Sequence, residues 1–265
     1  MGSRLSHHPI VEISSVSAFR EDLQVFDELS FCLAPQQRVA ILGPNGSGKS
    51  SLLKLISREI YPVVRPNSYV RLYGSETVDL WDLRRKIGLV SHDLQVDYTP
   101  YSTGLEVVLS GFFGAIGAHT HLQPNPQQIA LAREAIASLG VSKLEGRMYQ
   151  RMSTGQQRRF LLARALIHQP ELLIMDEPSA GLDIGAAYQL LETLRQLCQS
   201  ERALLLATHH VEEIIPEIER VVLIMDGKIL ADGPKAEVLT SENLSRLYGL
   251  QLQLQQSRGW YRLSW

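Results

Sequence analysis

Gly43-Pro44-Asn45-Gly46-Ser47-Gly48-Lys49-Ser50 is the stretch whose reading decides the fold. Gly43, Gly48, Lys49 and Ser50 fill the G-x-x-x-x-G-K-[ST] spacing in full. Upstream, Val39-Ala40-Ile41-Leu42 has the unbroken apolar character of a buried strand, and downstream Ser51-Leu52-Leu53-Lys54-Leu55-Ile56 has helical spacing. Strand, glycine loop and helix is the order that phosphate binding requires. The glycines let the backbone turn with its N–H groups inward, and the following helix brings its positive dipole end to the same place. Lys49 is expected to reach the β- and γ-phosphates, and the Ser50 hydroxyl to complete the shell of a Mg²⁺ ion. The competing reading is a glycine-rich turn that carries a lysine by chance. The loop alone does not say which phosphoryl-transfer machine it serves.

Composition narrows the field. The chain has 265 residues, 45% of them hydrophobic, with a formal net charge of −2; its pI is about 6.5 and its mean hydropathy −0.05. Such totals describe a globular protein, with nothing global that advertises a nucleic-acid or anionic-membrane partner. Cys32 and Cys198 lie far apart in apolar segments without metal spacing, so both are expected in the core of a protein from a reducing compartment. No run of about 18 apolar residues exists to cross a bilayer, so work at a membrane would go through a partner. Gly2 with Ser6 fits the loose myristoylation pattern, against a plain flexible terminus, and His7-His8 has the same standing as a metal site.

Along the chain, apolar residues recur at short intervals from Ile10 to Leu33, broken by Arg20-Glu21-Asp22, which predicts short antiparallel strands joined by turns. Tyr69–Leu72 and Ile87–Val90 read as further strands. Between about 93 and 151 glycine and proline become frequent, Asn125-Pro126 opens a helix and Gly140 stops it, which predicts an inserted, mostly helical subdomain. From Glu171 strands and helices alternate: Leu172–Asp176, a helix from about Ala186 to Cys198, Ala203–Ala207 and Val221–Asp226. The fold class expected is α/β: a P-loop core of mainly parallel sheet with helices on both faces, plus an antiparallel β subdomain and the helical insertion. Asp226-Gly227 predicts a two-residue hairpin, and Leu250 to Trp265 a second one at the C-terminus. A single domain over 1–265 accommodates all of this.

Two further stretches carry chemistry. Leu172-Leu173-Ile174-Met175 delivers Asp176 and Glu177 at a strand end, where Asp176 would hold Mg²⁺ through its water shell and Glu177 would polarise the water attacking the γ-phosphorus. A strand that simply ends in two solvated acids is the alternative. Ser153-Thr154-Gly155-Gln156 has capping-box spacing ahead of an apolar helix, giving a second helix start suited to an anion.

Taken together, Gly43 to Ser50, Ser153 to Gln156, Asp176-Glu177-Pro178, Ser179 to Asp183 and Thr208-His209 stand in the order of the ATP-binding cassette (ABC) family, which the chain resembles from about Ile10 to Leu239. The resemblance implies an ATPase that uses ATP and Mg²⁺ and works as a homodimer, with two nucleotides sandwiched between two cassettes. It implies that Gly43 through Ser51 line one nucleotide while Ser153, Gly155 and Gln156 serve the partner's. It further implies that Asp183 lies on the loop linking the two sites, that His209 touches the γ-phosphate and orients the water with Glu177, and that Phe19 lies against the adenine ring. Ser51 and Met152 replace the usual threonine and leucine, and His92 stands where the family has a glutamine that senses Mg²⁺ and the transporter. Gln95 is the other candidate for that role. The family's commonest partner is a pair of separate transmembrane permease subunits, gripped through the 93–151 region, which would place the chain on the cytoplasmic face of a membrane. The look of the sequence is that of importers for metal chelates and small oxyanions. The rival is a soluble cassette ATPase that moves a protein or nucleic-acid partner; no nucleic acid is expected.

Overall fold

The computed structural model describes residues 8–98, 101–114 and 123–265, and its contacts divide the chain into two units, 1–83 with 201–265 and 84–200. The Gly2–Ser6 pattern and His7 lie outside the described residues.

In the first unit, β1 (Val11–Arg20) and β2 (Leu23–Leu33) form one long hairpin rather than several short strands. Its turn falls on the charged Glu21-Asp22. Ser15 and Glu28, both at positive φ, sit where the register shifts, so bulges absorb the breaks in alternation that a reader of the sequence takes for strand ends. β3 (Arg38–Leu42) follows, then α1 (Lys49–Ile56), and β4 (Tyr69–Leu72) returns to pair antiparallel with β1. α2 (Leu80–Lys86) carries the chain into the second unit.

There β5 (Ile87–Val90) precedes α3 (His92–Val96), α4 (Gly104–Leu109), α5 (Pro126–Ser138) and α6 (Thr154–Leu166). β6 (Leu172–Asp176) pairs in parallel with β5, and α7 (Ile184–Leu197) closes the unit. Asn125 caps α5 in a full capping box with Gln128, and Pro126 occupies its first turn, as the sequence predicts. Gly88 lies so close to α6 that a Cβ would sit 2.6 Å from the Ala165 carbonyl, which draws helix and strand together.

Back in the first unit, β7 (Ala203–Thr208) and β8 (Arg220–Met225) flank β3 on either side, both parallel to it, and β9 (Lys228–Pro234) pairs antiparallel with β8. β3 and β7 are buried along nearly their whole length, the expected state of parallel strands covered on both faces. α8 (Lys235–Val238), α9 (Ser241–Tyr248) and the hairpin β10 (Gln253–Ser257) with β11 (Trp260–Ser264) complete the chain. The hairpin starts at Gln253 because α9 runs to Tyr248 and ends at Gly249 in the left-handed conformation. Cys198 is buried, but Cys32 is exposed, contrary to expectation. On a strand with one covered face, Phe31 and Leu33 take the core positions and Cys32 between them must point out.

Among the described residues no helix is long and apolar enough to cross a membrane.

Candidate functional site

The phosphate loop leaves β3 at Gly43. A Cβ there would lie 2.2 Å from the Ile224 carbonyl oxygen and 2.7 Å from the Ser47 hydroxyl, so only glycine fits. Gly48, at φ 108°, is the N-cap of α1 and supplies no side chain to satisfy the first N–H groups of the helix. Uncapped amides at a dipole's positive end suit an anion. The Ser47 hydroxyl is buried and, among the described residues, has no hydrogen-bond partner, a second polar group aimed into the loop. Ser50 is exposed in the first turn of α1, while Ser51 is buried. Lys49 is only 4% exposed, and its ammonium donates to the carbonyls of Gly43 and Pro44 at 2.9 and 3.0 Å. Asn45 and Gly46, the latter at φ 80°, form the exposed crown.

Two neighbours fix this loop. Gly227, at the tip of the β8–β9 hairpin, gives its N–H to the Ser47 carbonyl at 2.9 Å. Leu42 stands opposite Thr208 in the parallel pairing of β3 with β7, and the Gly43 N–H donates to the Thr208 carbonyl at 3.3 Å. His209 is therefore the next residue past a strand end bonded to the phosphate loop. Its ring lies against that of His210 with centroids 3.9 Å apart and planes tilted by 41°, and it is half-buried where His210 is exposed. Thr208, wholly buried, accepts the His210 N–H on its hydroxyl at 2.9 Å and so sets the bend. Phe19 is on β1 opposite Gln24 and 44% exposed, so its side chain is accessible to a ligand.

The second unit groups the remaining predicted residues. β6 is buried from Leu172 to Met175, then the chain emerges at Asp176 and Glu177. Glu177 adopts φ 47°, and the turn after it is closed by Ala180 N–H to Glu177 carbonyl at 3.1 Å and Leu182 N–H to Ser179 carbonyl at 3.0 Å. Asp183 caps α7 by accepting the Ala186 N–H at 2.8 Å. Ser153 caps α6 in the predicted capping box: its hydroxyl accepts the Gln156 N–H, and the Gln156 side chain accepts the Ser153 N–H at 3.1 Å. A Cβ on Gly155 would lie 3.0 Å from the Ala186 Cβ, so the start of α6 abuts the first turn of α7. Ser153, Gly155 and Asp183 thus belong to one surface.

Of the two sensor candidates, His92 is exposed in the first turn of α3 and Gln95 is 7% exposed. Gln95 donates to the Gln157 side chain at 2.8 Å, and Gln157 donates to the Tyr149 carbonyl at 2.9 Å. Gln95 is thereby engaged with α6, and His92 is the one at the surface. Tyr248, which no motif singles out, donates to the His209 carbonyl at 2.8 Å. The legible signal there was a Thr240 cap and a Gly249 stop around Leu244 and Leu247.

No group of three or more His, Cys, Asp or Glu able to hold a metal by itself exists among the described residues.

Comparison with known proteins gives a consistent result. A sequence model of the ABC transporter family matches residues 26–180. The ABC transporter ATP-binding protein YlmA of Bacillus subtilis is 33% identical over 244 residues, 90% of each chain. The cobalt import ATP-binding protein CbiO of Rhodobacter capsulatus is 35% identical over 237 residues, 88% of this chain and 81% of the relative. Among solved structures, a metal-chelate type ABC transporter in an inward-facing conformation superposes with a TM-score of 0.78 at 25% identity, covering 97% of this chain and 96% of that one.

Proposed function

Because the chain belongs to the ABC transporter family, as one of its ATP-binding subunits, we propose that it hydrolyses ATP as a homodimer and uses closure and reopening of that dimer to drive separate membrane permease subunits. The observation that carries this reading is the hydrogen bond from Gly43 to Thr208. It joins the residue that opens the phosphate loop to the last residue of the strand that precedes His209, so one bound triphosphate can be gripped by the first and read by the second.

The roles follow from the chemistry. The α1 amides and Lys49 hold the phosphates, and Phe19 offers its exposed ring to the base. Ser50 and Asp176 are the residues that would hold Mg²⁺, whose charge neutralises the phosphate oxygens as the bond to the γ-phosphorus breaks. Glu177 accepts the proton of the attacking water, and His209 donates to the γ-phosphate and orients that water. Ser153, Gly155 and Gln156, with the free amides of the 13-residue helix α6 behind them, meet the nucleotide of the second copy, and Asp183 beside them lies on the same face. Import of a metal ion or metal chelate is the activity that the names of the relatives support. A cassette with that role sits on the cytoplasmic face of a membrane through its partners.

The Glu177→Gln variant tests this reading. Loss of the base slows hydrolysis by about 10²- to 10⁴-fold and leaves an ATP-loaded dimer that elutes ahead of the monomer in gel filtration. Undiminished turnover would refute the assignment of Glu177.

A further inference from the structure

The main chain at the end of β7 is held from both sides. Upstream, the Thr208 carbonyl accepts the Gly43 N–H at 3.3 Å. Downstream, one residue later, the His209 carbonyl accepts the phenol of Tyr248 at 2.8 Å. Tyr248 is the last residue of α9 and lies well beyond the segment matched by the family model, which ends at residue 180. Burial above all, with the Glu212 carboxylate adding to it, pushes the Tyr248 phenol above its ordinary range, so the O–H remains a donor at any physiological pH.

What aims Tyr248 is the C-terminal hairpin. The Ser245 hydroxyl of α9 accepts the Leu252 N–H at 3.0 Å, and the Ser241 hydroxyl accepts the Leu254 N–H at 2.9 Å, so the chain entering β10 is zipped along the helix. From β11, the Leu263 N–H donates to the Glu212 carboxylate at 3.2 Å, three residues past His209. Tyr261 on the same strand is 5% exposed, and Gly259 in the hairpin turn is pressed against Pro216. The last strands therefore grip the 209–216 segment directly through Glu212 and indirectly through Tyr248.

We propose that Tyr248 is a positioning residue for ATP hydrolysis, fixing the peptide plane that follows His209 and with it the aim of the imidazole, and that the β10–β11 hairpin serves to keep Tyr248 in place. A peptide unit is planar, so a carbonyl held by a fixed donor cannot turn without dragging the Cα atoms on either side. Freed from that donor, the peptide plane after His209 gains room to turn. The inference rests on the reading of His209 as the group that orients the attacking water.

Three measurements on the full chain decide it. Tyr248→Phe removes one oxygen and should lower kcat by about 10-fold, within the ~100-fold that a misplacement of 1 Å can cost, with KM for ATP unchanged and the thermal midpoint lowered by no more than the about 2–4 °C that one lost hydrogen bond costs. In the same variant, amide hydrogen exchange over residues 209–212 should speed up while exchange in β3 stays as it was. Wild-type kcat, or unaltered exchange at 209–212, overturns the proposal. A fall in kcat matched by loss of ATP affinity or by a larger drop in thermal midpoint also overturns it, in favour of a general structural role. His209→Ala separates the premise from the inference: if that variant keeps wild-type turnover, the reading of His209 fails, and if it is inactive while Tyr248→Phe is normal, only the positioning role fails.

Discussion

Gly227 braces Ser47: the N–H at the tip of the β8–β9 hairpin reaches the carbonyl in the middle of the phosphate loop at 2.9 Å. The contact is possible because residue 227 has no side chain. A Cβ there would lie 2.0 Å from the Val25 carbonyl oxygen, and φ is 71°. On the other side of the same junction the Phe26 ring lies against Gly48, 3.0 Å from where a Cβ would stand. Hairpin tip, β2 and phosphate loop are thus one interlocked piece.

Gly227→Ala should therefore cost about 1–3 kcal/mol of folding stability and weaken ATP binding, although residue 227 lies outside the phosphate loop. Urea unfolding and calorimetric titration with ATP measure both. A variant of wild-type stability would show that the junction gives way more easily than its geometry says.

Lys49→Ala removes an ammonium group that donates to the Gly43 and Pro44 carbonyls and that, in the proposed role, holds a phosphate. A charge-assisted hydrogen bond contributes about 1.5–3 kcal/mol, so loss of one to phosphate raises Kd for ATP by roughly 10- to 100-fold. Titration calorimetry reads this directly, and an unchanged Kd would contradict the loop's role.

Ser153→Arg places a long cation on the exposed cap of α6. Nucleotide affinity of the single subunit should be unaffected, whereas the ATP-dependent dimer should be lost in light scattering. Retained dimer and turnover would mean that α6 does not meet the second copy's nucleotide.

His168 gives a pH test. Burial holds its imidazole below the ordinary range, opposed by its hydrogen bond to the Gly111 carbonyl and reinforced by Arg85 and Arg164. The unfolded chain then takes up a proton more readily than the folded one, so the stability gained from a neutral His168 is present above about pH 6.5 and is lost as pH falls through the folded value. Urea unfolding from pH 7.5 to 5 should show wild type losing more stability than His168→Asn. Identical pH slopes would sink the idea.

Much of this was readable beforehand, for identifiable reasons. The phosphate loop, the Ser153 cap, the Asp226-Gly227 turn and the Asn125-Pro126 helix start are each local: short range sterics and capping decide them, and their residues are neighbours in sequence. The length of β1 and β2 was not readable, because bulges at Ser15 and Glu28 interrupt the alternation without ending the strands. The exposure of Cys32 escaped a reading by apolar neighbourhood alone, since a strand turns alternate residues outward. Gln95 looked like a candidate sensor on chemistry. Only the three-dimensional approach of α3 to α6 reveals Gln157 as its partner, 62 residues away. Tyr248 and His209, 39 residues apart, meet for the same kind of reason.

Glu177 holds a left-handed backbone at φ 47°, a conformation that costs an ordinary side chain about 1–2 kcal/mol. The chain carries there a residue that folds less comfortably than glycine or asparagine would. If Glu177 is the base proposed above, durability and turnover pull in opposite directions there: a search for hardier variants will be drawn to glycine at 177, and each hardier protein it returns there would lack the proposed base. β-Branched replacements stand at the other extreme, forbidden by the same angle, so the substitutions that report cleanly on the carboxylate are the few unbranched ones.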